Sequence, residues 1–203
     1  MPVRIETLKL NKTYYIALWN EHEYNRKYLI PYRYIYTTGI RKPRDQLRNM
    51  FVVWKDVIEE TIVHMNKVFN EHSTGIELVS LGDIRSRTKG RILLRDVKHV
   101  MAFKMATTCS APLGIQTNGN VCSRYSSAKC SVIKLSPECV HQDPIAIQHE
   151  FMHSLGFFHE HQRHIRDEYI NVNENNIADQ YKFAFTKYAK EDTEAQCTPY
   201  DMT

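Results

Sequence analysis

Between positions 47 and 69 the apolar residues Leu47, Met50, Phe51, Trp54, Val57, Ile58, Ile62, Met65 and Phe69 recur three and four apart. That spacing lines one face of a helix, so the pattern predicts a long amphipathic helix over about 44–70, opened near Pro43 and Asp45. Its methionine and aromatic stripe reads as core packing, not as a cofactor face. Ahead of it LIPYRYIY, residues 29–36, alternates apolar with polar positions and is rich in aromatic and β-branched residues, which predicts a strand. After Ser73-Thr74-Gly75 the short apolar runs GIELVSL (75–81) and HVMAFKM (99–105) read as second and third strands of the same sheet. Residues 109–136 mix Gly, Asn and Ser turns with β-formers. Asp143 is a capping residue before Pro144 at a first helical position, and Gly156 is a stop, so a short helix is expected over 144–155. Residues 1–27 read as irregular, and beyond Asn171 only a weak helical pattern at 181–188 stands out. Strand runs with two separate helices indicate an α+β fold, with no repeat and no Gly/Ser linker to divide it.

Composition bounds the size and class of the protein. At 203 residues and 42% hydrophobic content, the chain can bury one core, as a single domain or as two lobes about a cleft. A formal charge of +4, from 27 basic against 23 acidic residues scattered along the sequence, forms no nucleic-acid footprint. No stretch reaches the roughly 18 apolar residues of a membrane span. MPVRIETLKL is interrupted by charges and does not read as a signal peptide.

The cysteines change the picture of the compartment. Cys109, Cys122, Cys130 and Cys139 crowd one stretch while Cys197 stands apart. Such density suits local disulfides in an oxidising compartment. A four-cysteine zinc site is the competing reading, disfavoured because no C-x-x-C pair occurs. Asn11-Lys12-Thr13 is a glycosylation sequon, which has meaning only in a secreted chain.

The chemistry gathers in HEFMHSLGFFHEHQR, residues 149–163. On a helix His149 and His153 share one face, and two imidazoles at that spacing can hold one metal ion. Glu150 projects beside the ion and can act as a general base. H-E-x-x-H alone reads equally well as a helix without metal. The balance shifts with Gly156, which lets the chain leave the helix, and with His159, which can then return as a third ligand. His141, His161 and His164 fit no ligand spacing and read as surface or supporting residues.

These fifteen residues resemble the extended zinc signature of the metzincins, H-E-x-x-H-x-x-G-x-x-H. The continuation G-F-x-H-E-x-x-R resembles that of the astacin family of zinc endopeptidases. Ile30-Pro31-Tyr32, Cys109-Ser110 ahead of Gly114, Cys139 and Arg166-Asp167-Glu168-Tyr169 match the same family in order. The resemblance implies a catalytic domain over 28–203, built on a metzincin-like lobe with a twisted mixed sheet and the two helices. It also implies Zn2+ on His149, His153 and His159, with Glu150 as general base and acid, and a secreted enzyme hydrolysing internal bonds of a protein or peptide substrate. That substrate would lie extended along a sheet edge near 113–117.

A Cys109 to Cys139 bridge matches the family, Cys122 with Cys130 would be an addition, and Cys197 is left over. Gly75 stands near a family cysteine, and Ile165 stands where the family has an aspartate. Glu160 either meets a freed N-terminal amine, as in mature family members, or pairs with Arg163. The family pattern S-x-M-H-Y should follow a Y-D pair, and Tyr200-Asp201-Met202-Thr203 closes the sequence there. Ligands and base are therefore expected without the methionine floor and tyrosine beneath them, in an incomplete lower lobe. The alternative function is a non-catalytic, truncated zinc- or peptide-binding protein of the same fold. A purely structural three-histidine site is disfavoured, because closed zinc sites hold four protein ligands.

Overall fold

Parallel pairing of the apolar runs builds the centre of a six-stranded mixed sheet. A computed structural model of the chain describes residues 7–10, 14–17, 23–35, 44–81, 96–116, 121–123, 126–142 and 144–190. Asn11-Lys12-Thr13, Pro43, Thr117, Asp143, Cys197 and 200–203 lie outside the described residues. The strands are β1 (Thr7–Leu10), β2 (Tyr14–Ala17), β3 (Glu23–Tyr24), β4 (Lys27–Ile35), β5 (Ile76–Ser80), β6 (His99–Met105), β7 (Val121–Ser123) and β8 (Ser126–Leu135). The helices are α1 (Arg44–Glu71), α2 (Pro137–Gln142) and α3 (Pro144–Leu155).

Strand β4 is parallel to β5 over 28–32 and to β6 over 32–35, and β6 is parallel to β8 over its whole length. β3 and β7 close the sheet with antiparallel pairs. Met101 and Phe103 pack into one apolar cluster and Val100 into another, so both faces of β6 are covered and the run Val100 to Phe103 is fully buried. Ile30 and Tyr32 join one apolar cluster with the helices, whereas Leu29 joins Val79, Val97, Val100 and Ala128 in a second.

The stripe on α1 packs as its periodicity demands, with Trp54, Ile58, Ile62, Met65 and Phe69 buried. Trp54 Nε1 donates to the Leu135 carbonyl at 3.2 Å, tying the helix to the end of β8. Asn66 on the same helix holds the backbone of β5. Its Nδ2 donates to the Leu78 carbonyl at 2.9 Å, and its Oδ1 accepts from the Leu78 N–H at 2.8 Å. The amide thus continues the ladder where no further strand pairs among the described residues. Asn66→Leu should lower stability by about 1–3 kcal/mol by orphaning both groups. A urea titration reads this, and an unchanged midpoint would contradict the role given to the amide.

Two expectations need correction. The described residues of 1–27 are not irregular: β1 pairs with β2 in register from Thr7↔Ala17 to Leu10↔Tyr14, and β3 belongs to the main sheet. Tyr14, Tyr15 and Ile16 are strand formers in a run too short to show a clear period of two. A boundary at residue 28 also cuts the β3–β4 hairpin, whose register pairs Tyr24 with Lys27. The helices are three instead of two among the described residues. α2 begins where Ser136 Oγ accepts from the Cys139 N–H at 3.1 Å, a serine cap followed by proline at the first helical position. A disulfide joins Cys139 on α2 to Cys109, with Cα atoms 6.6 Å apart. Cys130 is also disulfide-bonded.

Candidate metal centre

Helix α3 presents two faces to two environments. Ile147, Phe151 and Leu155 recur every fourth residue and are buried against the sheet, where Phe151 meets Phe103 with ring centroids 5.1 Å apart. His149 and His153 occupy the adjacent face, His149 exposed and His153 half-buried. Gly156 then ends the helix with φ at +109°. Its N–H donates to the His153 carbonyl at 2.8 Å and the Phe157 N–H to the Met152 carbonyl at 3.0 Å, a Schellman closure that a side chain at this φ would strain. The reversal turns the next residues back along α3 and delivers His159 to the two helical histidines. A 3-10 turn over Glu160–Gln162 follows at once.

The three Nε2 atoms converge. His149 lies 3.0 Å from His153 and 3.2 Å from His159, and His153 lies 3.0 Å from His159. Nδ1 of His153 faces the Phe157 carbonyl at 2.8 Å, and a carbonyl can only accept, so that nitrogen carries the proton. Nδ1 of His159 faces Gln162 Oε1 at 3.0 Å. With both Nδ1 positions donating, the Nε2 atoms of His153 and His159 present lone pairs to each other with no hydrogen between them. Lone pairs facing at this distance repel unless a cation lies among them. Zinc held at about 2.0–2.1 Å by tetrahedral nitrogens would set those nitrogens about 3.3 Å apart, close to the spacing here, so the donor set fits that ion.

Glu150 follows His149 on α3 and is 8% exposed. Its Oε2 is buried without a hydrogen-bond partner in the protein. Burial pushes the carboxyl up from the ordinary carboxylate range, against a hydrogen bond from the Ala111 backbone. Burial likewise holds His149 and His153 below the ordinary imidazole value, and the neighbouring His159 ring adds to the effect on both. Neutral imidazoles are the form that ligates a metal.

Two clefts open on the histidines. One, of about 340 Å³, runs past Met152, Phe157 and His161. The other, of about 190 Å³, runs past Ala111, Leu113, Gln162 and Tyr188. Ser110 bridges Lys134 on β8, ahead of the stretch 113–117 expected to form a sheet edge, and within that stretch the Gly114 N–H donates to the His153 carbonyl at 2.9 Å. Gln116 N–H reaches Ser131 Oγ at 2.8 Å.

The other residues singled out in the sequence divide clearly. Glu160 pairs with Arg163, Oε2 to Nη1 at 3.1 Å, the second of its two expected roles. His161 is outside the trio, since its Nε2 bonds the Ala184 carbonyl at 2.9 Å, although its ring lies over His159 with centroids 5.1 Å apart. His141 is exposed and His164 half-buried. Buried Arg166 donates to the carbonyls of His161 and Phe185 and to Asp167, which also meets Lys187. The weak helical pattern late in the chain is a 3-10 turn over Asp179–Phe185. Gln162 was not apparent from the sequence. The one available signal was a polar residue three positions past His159, within reach across a tight turn.

The sequence profile of the astacin peptidase family matches residues 97–203, more than half of the chain. The zinc metalloproteinase nas-14 of Caenorhabditis elegans is 46% identical over 55 residues, 27% of this chain and 11% of that protein. The astacin-like metalloendopeptidase of Mus musculus is 39% identical over 77 residues, 38% of this chain and 17% of that protein. The chain thus spans less than a fifth of the length of either relative. Among solved structures, high choriolytic enzyme 1, a hatching enzyme zinc-protease from the medaka Oryzias latipes, superposes with a TM-score of 0.57 at 22% identity. That match covers 92% of this chain and 70% of the other, and bears on the fold.

Proposed function

The chain belongs to the astacin family, and from that premise we propose that it is a zinc-dependent endopeptidase with His149, His153 and His159 holding the metal and Glu150 moving the proton. The observation that carries this reading is the convergence of three Nε2 atoms within 3.0–3.2 Å, two of them fixed as lone-pair bearers by their Nδ1 partners. Bound at that point, zinc supplies Lewis acidity to the scissile carbonyl and lowers the pKa of water to about 7.

The remaining work falls to the protein. Glu150 Oε2 has no protein donor, and burial raises its proton affinity, so it accepts the proton of the attacking water and returns it to the leaving amine. A hydrogen bond from the Ala111 backbone holds the carboxylate in place. The substrate is a protein or peptide, extended past Ser110 to Gln116 beside β8, with side chains entering the two clefts. A disulfide between Cys109 and Cys139 supports an oxidising, extracellular setting.

The test is digestion of an unfolded protein by the zinc-loaded chain, with fragments read by mass spectrometry. Internal cuts that stop on chelation and return with zinc support the endopeptidase. Zinc uptake without any cleavage would support a non-catalytic zinc-binding protein of the same fold.

A further inference from the structure

We infer that Gln162 is the positioning residue of the third histidine, fixing the tautomer and aim of His159 and joining the metal centre to the segment 184–188; this rests on the zinc reading above. The amide has only one consistent orientation. Its Nε2 lies 3.2 Å from the Thr186 carbonyl, which can only accept, so the amide nitrogen must face Thr186. Oε1 is then the atom 3.0 Å from His159 Nδ1, and the ring must donate there. A proton on Nδ1 leaves the lone pair on Nε2, aimed at His149 and His153.

Gln162 is itself immobilised for the task. It is 8% exposed, its N–H donates to the His159 carbonyl at 3.0 Å, and its carbonyl accepts from the Tyr188 N–H at 2.8 Å. Both ends of the residue therefore link His159 to the stretch at 186–188. His153 has an equivalent support in the Phe157 carbonyl, but that one is backbone. Partners of this kind set ring orientation and ligand basicity at metal sites.

Zinc affinity should be compared for the wild-type chain, Gln162→Glu and Gln162→Leu by competition with a chromophoric chelator. Leucine removes the acceptor facing His159, and its affinity should fall by about 10–100-fold. Glutamate keeps an acceptor oxygen toward His159 while replacing the donor to Thr186 by a carboxylate oxygen, and a carboxylate supports ligand basicity, so its affinity should not fall as that of leucine does. A residue that merely tethers 184–188 would lower Tm in both variants and leave both affinities unchanged, and that result overturns the positioning role. Nitrogen NMR of the metal-free wild-type chain gives a readout independent of variant folding. His159 should be protonated at Nδ1, and a proton on Nε2 would overturn the inference. A wild-type chain that takes up no zinc would overturn the reading beneath it, an outcome distinct from equal affinities in wild type and Gln162→Leu.

Discussion

Glutamine at position 150 should slow peptide cleavage by about 10²–10⁴-fold, the usual contribution of a positioned acid and base. That is about 3–5 kcal/mol of transition-state stabilisation. The change is close to isosteric, and the amide oxygen can keep the hydrogen bond from the Ala111 backbone. It also removes an ionisable group from a site where Oε2 has no partner, so folding should not suffer. Zinc content should be unchanged, because Glu150 lies outside the trio of converging nitrogens. The loss should therefore appear in kcat at constant metal occupancy. Equal rates for wild type and Glu150→Gln would remove Glu150 from the reaction.

Loss of a ligand should act one step earlier. His153 is the most constrained of the three, with Nδ1 on the Phe157 carbonyl and Nε2 3.0 Å from both other rings. Structural zinc is bound with about 10–16 kcal/mol, and removing one of three histidines should forfeit on the order of 3–5 kcal/mol of such a total. His153→Ala should weaken zinc binding by roughly 10²–10⁴-fold. His161→Ala is the control, since that ring is committed to the Ala184 carbonyl and should leave zinc affinity nearly intact. Equal losses in the two variants, measured by chelator competition, would show that histidine content and not the trio's geometry binds the ion.

The parts legible in the sequence are those written in local spacing. The stripe from Leu47 to Phe69 specifies α1, because a period near 3.6 over that length has no strand equivalent. Pro144 and Gly156 bracket α3 through backbone constraints that belong to those two residues alone. His149, His153 and His159 could be placed together because a helix and one glycine reversal relate them. What escaped notice depends on partners distant in sequence. Tyr14 to Ala17 form a strand only against Thr7 to Leu10, and Asn66 holds β5 only because α1 crosses that edge at Leu78. Gln162 acquires its role from Thr186 and Tyr188, which no spacing rule connects to the histidines. Ser136 and Pro137 did carry a local capping signal for α2, masked by the turn-rich residues before them.

The central claim is that one metal sits on three histidine nitrogens. X-ray absorption at the zinc edge of the reconstituted chain tests it directly. Three imidazole nitrogens at about 2.0–2.1 Å, with an oxygen donor completing the shell, is the expected result. A shell of sulfur at about 2.3 Å would place the zinc on the cysteines and contradict the assignment.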